Sequence, residues 1–446
     1  MKTELHNYDL FPKVFLVGET ARMTLKPLGL HAAFSGEYTV RIHSLAHGSP
    51  GTYPARRNQT DIPVVPSADG CLRFRFVFPE EGEYYIRVIR GDRRVVQMSA
   101  YALAADMRGR LPFRGDLHMH TFRSDGRQAP AIVAANYRRN GYDFFAITDH
   151  GRYYPSLEAS DAYKDVPHEF NIVPGEEIHL PGNDIHTVSF GAAYSVNGLL
   201  DCSAQTRESG RRAIIGNPPP VLTRAEYEAE VNALIPGLNI PDGIEKFTYA
   251  SCVWIFEQIR RGGGLGIFAH PYWISDMFQV PESLTDYLAE MHPFDAYEVL
   301  GGENYYQQNG FQTVKYYEDR AKGRDYPVVG STDSHNSIAT DNRNALICST
   351  FVFAKANERT ALIDAIKDKY SVAVDSISPE IRLVGDFRLV KYARFIIDEF
   401  TPLHDELCFE DGRLMKAYAT GDARAAEALR FIHGRMAALY AKYFAV

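Results

Sequence analysis

From Val14 to about Ile89 hydrophobic and polar positions alternate over short runs, ARMTLKPL, EYTVRIHSL, CLRFRFVF and EYYIRVI, separated by Gly, Pro, Asn and Asp clusters. Alternation with period two puts every second side chain on one face of a strand, so residues 1–108 are expected to form a small Ig-like β-sandwich. After Gly109 the spacing changes to continuous apolar runs followed by helical stretches, the layout of parallel α/β units. Strand cores fall in GDLHMH, FFAITDH, NIVPGEEIH, DIHTVSFG, GLGIFAHP, AYEVLGG and YPVVGSTDSH, with helices expected over 130–140, 251–261 and 357–368. This α/β pattern over 109–380 is compatible with a (β/α) barrel. Residues 197–250, which include Asn217 and Pro218 to Pro220, break the rhythm and read as an insertion of the kind that forms a lid. From about Pro379 the chain turns helical, and 381–446 is expected to be a C-terminal helical extension. There Leu429, Ile432, Met436, Leu439, Tyr440 and Tyr443 share one stripe, read as core or docking surface.

Composition narrows the classes of function. With 446 residues the chain is long enough for two or three units and a sizeable core. A net charge of -8 argues against a general nucleic-acid or membrane-surface binder. Cys71, Cys202, Cys252, Cys348 and Cys408 are scattered without CxxC spacing, so neither a disulfide framework nor a zinc ribbon is indicated, and a reducing compartment fits. The opening MKTELHNYDLFPK lacks an apolar core, and no run of about 18 apolar residues occurs. A soluble cytoplasmic protein is expected.

The chemistry concentrates at strand ends. In GDLHMHTFRSDG, His118 and His120 are two apart on a strand and point the same way, a pair suited to zinc, iron or manganese. An isolated HxH arises readily in a chain with 15 histidines. Recurrence is the stronger signal: His150 follows in ITDH, Glu177 in PGEEIH, His186 in DIHTV, His270 in FAHP, and Asp333 with His335 in STDSH. In parallel barrels the carboxyl ends of strands gather residues distant in sequence.

In the order HMH with SDG, TDH, GEE, the His186 strand, AHP and DSH, residues 114–375 resemble the polymerase and histidinol phosphatase (PHP) superfamily. GDLHMHTFRSDG behind a β domain is most similar to its carbaryl hydrolase-like branch. The resemblance implies a distorted (β/α)7 barrel with two or three divalent ions (Zn, Mn or Fe) at its mouth. One ion would take His118, His120, Glu177 and Asp333. A second would share Glu177 and add His186 and His270, and a third would take Asp125, His150 and His335. Many relatives carry His where Asp125 stands. Strand parity admits only one of Glu176 and Glu177 to the centre, and the family pattern selects Glu177. His179 then shares that face and is a candidate acid/base or substrate contact. Asp149 and Glu298 are expected behind the ligands.

The activity implied is metal-dependent hydrolysis of a small phosphate ester (EC 3.1) by a metal-bound hydroxide. Arg123 is a candidate for a phosphate oxygen, and Tyr272 with Trp273 for a substrate ring. Carboxylic or carbamate ester hydrolysis on the same centre is the alternative, and a catalytically degenerate binding protein the non-enzymatic one.

Overall fold

The computed structural model describes residues 4–46, 59–214, 216–301, 305–338, 348–376 and 380–446. Pro379, the expected start of the helical extension, lies outside them. The chain divides into two compact units, Met1–Leu111 with Phe387–Leu407 and Gly434–Val446, and Pro112–Asp386 with Cys408–His433.

In the first unit, strands Tyr8–Phe11, Thr20–Pro27 and Leu72–Val77 form one sheet. Phe444–Ala445, Val14–Leu16, Arg93–Leu103, Gly82–Arg90, Tyr38–Ser44 and Gln59–Val64 form a second, in that order. Period-two burial along these strands turns Met23, Leu25, Leu72 and Phe74 of one sheet, and Val40, Ile42, Ile86 and Val88 of the other, into a single apolar core. The edge strand Phe444–Ala445, parallel to Val14–Leu16, is two residues long and too short for any pattern to announce.

The second unit is mixed α/β. One sheet runs Asn171–Val173, Phe144–Ala146, Leu111–Asp116, Cys348–Ala354, Ser371–Asp375, Arg382–Gly385. The other runs Gly175–Leu180, Asn183–Phe190, Leu265–Phe268, Ala296–Leu300, Val328–Gly330. Isolated parallel bridges, Met119 with Ser334 and His150 with Glu177, join the sheets at the ends of their strands. The pairing is parallel among Leu111–Asp116, Phe144–Ala146 and Asn171–Val173, and again from Leu265–Phe268 to Val328–Gly330. Asn183–Phe190 departs from the expected parallel layout, pairing antiparallel with both Gly175–Leu180 and Leu265–Phe268. Only Pro181 and Gly182 separate Leu180 from Asn183, and so short a connection joins antiparallel strands only. His186 therefore lies within a strand rather than past its end.

The segment expected as an insertion is packed into the unit. Leu199, Leu200, Tyr227 and Val231 are buried with Tyr249, Cys252, Trp254 and Ile255 of the helix Lys246–Arg261. Four such side chains stabilise by roughly 1.5–3 kcal/mol each, so removing residues 197–250 is expected to unfold the unit rather than uncover a mouth.

The C-terminal stripe is divided. Ala423–Ile432 and Arg435–Tyr443 are separate helices, broken at Gly434, whose φ of 87° is a left-handed conformation that glycine adopts without strain. Leu429 and Ile432 belong to the second unit, and Met436, Tyr440 and Tyr443 to the first. Residues 381–446 are thus distributed between the two units. Among the described residues no helix is long and apolar enough to cross a membrane.

Candidate metal centre

The structure brings all nine ligand candidates together. His118 and His120 follow Leu111–Asp116, Asp125 lies in the turn beyond them, and His150 follows Phe144–Ala146. Glu177 and His186 come from the antiparallel hairpin, His270 follows Leu265–Phe268, and Asp333 and His335 follow Val328–Gly330.

Their distances link them into one continuous cluster, in which His120 also lies 3.8 Å from Asp125 and His270 3.7 Å from Asp333. His118 Nε2 and His120 Nε2 are each 3.6 Å from Glu177 Oε2, and 3.3 and 2.9 Å from Asp333 Oδ1. Ligand atoms of a tetrahedral zinc site lie roughly 3.3 Å apart. Glu177 Oε1 lies 2.8 Å from His186 Nδ1, which is 3.4 Å from His270 Nε2. At the exposed edge, Asp125 Oδ2 lies 3.4 Å from His150 Nε2 and 3.2 Å from His335 Nε2. The His120 ring packs against those of His150 and His335, with both centroid distances 4.4 Å. His150 Nδ1 faces inward, 2.6 Å from Glu177 Oε2 and 2.7 Å from Nε2 of His179, which is exposed.

Glu177 tests whether these residues suit cations. It is fully buried, and among the described residues no donor meets either carboxylate oxygen in aligned hydrogen-bond geometry, although imidazole nitrogens approach to 2.6 and 2.8 Å. His118 Nε2, His120 Nδ1 and His270 Nδ1 are likewise buried and unpartnered. Uncompensated burial of a carboxylate costs several kcal/mol. Imidazoles and carboxylates converging in one buried cluster, with several of their polar atoms left unpartnered, are a donor set suited to divalent transition metals.

Charge distribution agrees with this. Burial favours protonation of Glu177, but His186, His150 and His118 overcome it and hold its pKa well below the usual carboxylate range. Asp333 is lowered in the same way by His118 and His120 against its burial. Burial brings His120 down to about 4 and His270 to about 3, so both are neutral, the form that ligates. Burial also works against a charge on His118 and His150, yet the carboxylates prevail. Asp333, Glu298 and Glu177 raise His118 well above the histidine value, and Glu177 and Asp125 raise His150 to about 10.

A layer of buried polar groups holds these side chains. Glu298 Oε2 accepts from His118 Nδ1 at 2.9 Å. Asp116 accepts from the amides of His118 and Thr332 and from the Thr332 hydroxyl, tying two strand ends together. Asp149 accepts from the amides and hydroxyls of Thr121 and Ser124, fixing the turn that carries Asp125. Asp333 has a positive φ of 49°, strain of about 1 kcal/mol of the kind found at functional sites. Its amide donates to the carbonyl oxygen of His118.

Two expected substrate contacts are engaged elsewhere. Arg123 forms a two-pronged pair with Glu158, at 2.9 and 3.0 Å. Tyr272 is buried in an edge-on cluster with Phe278 and Phe311. Its neighbour Trp273 is the aromatic that meets the cluster, stacked on His186 with centroids 5.9 Å apart. Sequence reasoning missed Asp116 and Asn197. Asp116 sits two residues before His118, on the same strand face, which is a readable signal. Asn197, whose amide nitrogen reaches Glu176 and the Glu177 carbonyl, has none.

No protein-family profile and no curated protein matches the chain. Among solved structures, it is similar to a two-domain protein from Bacteroides vulgatus containing a predicted PHP-like metal-dependent phosphoesterase. Identity is 17%, coverage 60% of this chain and 65% of that one, and the TM-score 0.38. The match thus spans less than two thirds of that protein. A candidate metal-dependent phosphoesterase from Bifidobacterium adolescentis gives 18% identity over 50% of this chain and 87% of that one, with a TM-score of 0.30. An amidohydrolase from Chromobacterium violaceum, bound to sulfate without metal, gives 19% over 50% and 88%, also at 0.30. None of the scores reaches 0.5, so the geometry of this chain carries the functional reading by itself.

Proposed function

We propose that the second unit is a distorted seven-stranded (β/α) barrel of the PHP superfamily and that the chain is a metal-dependent phosphoesterase. Two or three divalent ions, zinc, manganese or iron, would be held by the three groups of side chains that meet around Glu177. The observation carrying this reading is Glu177 itself, buried and anionic, surrounded by four imidazoles and by no backbone, hydroxyl or amide donor among the described residues. Bound divalent ions supply Lewis acidity and acidify water, the requirements of displacement at phosphorus.

The remaining roles fall to the chain. Glu177 presents Oε2 to the His118 and His120 side and Oε1 to the His186 side, so one carboxylate can offset the repulsion of two cations. That arrangement favours a pair of ions and hence a phosphate ester over a carboxylic ester. His179 Nε2, on the exposed side, is suited to carry the proton exchanged with the leaving oxygen. Five free cysteines fit a cytoplasmic location.

The test is metal analysis of protein purified without chelator, followed by turnover of p-nitrophenyl phosphate and p-nitrophenyl acetate. Stoichiometric metal with preferred phosphate turnover is expected. Preferred acetate turnover would move the assignment to carboxylic or carbamate esters, and absence of metal would overturn it in favour of a binding protein.

A further inference from the structure

Behind the candidate ligands lies a carboxylate whose one side-chain hydrogen-bond partner among the described residues is a candidate ligand. Glu298, on the strand Ala296–Leu300, is fully buried, and of its two oxygens only Oε2 is engaged, by His118 Nδ1 at 2.9 Å. Oε1 has no hydrogen-bond partner. Among the described residues no Lys or Arg side chain pairs with this carboxylate, in contrast to the buried Asp319, which receives Lys315, Arg324 and the Tyr326 hydroxyl. A His118 nitrogen, a His270 nitrogen and a Glu298 oxygen lie within 4.8 Å of one another, and the His118 and His270 rings stack with centroids 5.3 Å apart. The one side-chain hydrogen bond of Glu298 among the described residues is therefore to a single imidazole.

The backbone keeps that carboxylate in place. Gln312 donates to the carbonyl oxygens of Glu298 and Val299, Asn309 accepts from the Gly301 amide, and Gln308 donates to the Gly301 carbonyl. Gly301 leaves the necessary room, since a Cβ there would stand 1.8 Å from Glu298 Oε1.

We propose that Glu298 is a positioning residue for metal loading. By accepting from Nδ1 it fixes the orientation and tautomer of His118, so that Nε2 is presented toward Glu177 and Asp333. It acts through His118 and touches neither ion nor substrate. This rests on the reading of His118 as a ligand, and carboxylates behind ligating histidines typically contribute about 10- to 100-fold in metal affinity.

Three variants test it, with zinc affinity measured by competition against a chromophoric chelator and unfolding followed by heat. Glu298→Leu removes the acceptor, and zinc at the His118 group should bind about 10- to 100-fold more weakly while the Asp125, His150 and His335 group is unaffected. Glu298→Gln keeps an acceptor and should restore most of that affinity. Gly301→Ala leaves the charge but displaces the carboxylate, so it should weaken the same ion, and it keeps the test alive if the leucine variant does not fold. Wild-type affinity in folded Glu298→Leu and Gly301→Ala would overturn the proposal, as would a loss of thermal stability with zinc affinity unchanged. Wild-type protein that binds no zinc would instead overturn the metal assignment, a separate failure.

Discussion

Glu176 and Glu177 are neighbours on one strand, both fully buried, and their surroundings differ in every respect that matters. Behind the strand, Glu176 accepts from the Ser195 hydroxyl at 2.6 Å, the Val196 amide at 2.5 Å and the Asn197 side chain at 2.8 Å. In front, Glu177 has no backbone, hydroxyl or amide donor among the described residues and is ringed by imidazoles. Burial lifts Glu176 up to about 7 in spite of its donors, whereas the histidines press Glu177 far down. A carboxylate satisfied by its own chain serves the fold. One kept anionic among imidazoles alone is arranged for something the chain does not itself contain.

The largest effect should come from exchanging charge for an amide on each side. Glu177→Gln is expected to lose at least two ions and all activity above background, and the metal-free protein should unfold at a lower temperature, because His118 and His150 lose the anion that offsets their charge. Glu176→Gln should keep its metal and lose about 1–3 kcal/mol of stability, since an amide cannot accept from all three donors. Melting curves read both losses of stability, parallel metal titrations separate the two variants, and equal metal loss in both would erase the contrast.

Next in size, His118→Ala combined with His120→Ala should abolish hydrolysis and lower metal content while the first unit stays folded by circular dichroism. Unchanged metal stoichiometry would contradict the placement of both rings on one ion. Asp125→Asn should do less. Its side chain is 52% exposed and lies nearest His150 and His335, with His120 3.8 Å away, so residual turnover is expected, partly restored by added manganese.

Much of this centre was legible because a histidine or acid closing an apolar run is readable locally, and strand alternation puts such residues on one side. Its supports were not. The hydrogen bond from His118 to Glu298 spans 180 residues, and no local pattern announces a partner that far away. The hairpin around Gly182 was hidden because its strands read as apolar runs with no direction marked. The C-terminal stripe misled because helical periodicity continues in register across Gly434, although the backbone does not. Tyr272 and Trp273 were indistinguishable in sequence. Packing against Phe278 and Phe311 decided which turned inward.

A smaller effect should appear with pH. His118 and His150 have pKa values raised by the carboxylates around them, His150 to about 10, so near neutrality both carry protons that an incoming ion must displace. Apparent zinc affinity should therefore rise between pH 6 and 9, by roughly tenfold per pH unit for each proton displaced. Calorimetry in buffers of different ionisation enthalpy would register the release, and a flat profile would show that neither proton is held in the metal-free protein.

The most direct measurement of the central claim is the number of zinc ions retained per chain, by elemental analysis after gel filtration, for the wild type, Glu176→Gln and Glu177→Gln side by side. Two or three ions in the wild type and in Glu176→Gln, with at most one in Glu177→Gln, is the result the geometry predicts. No retained zinc in the wild type, or the same count in all three proteins, would contradict it.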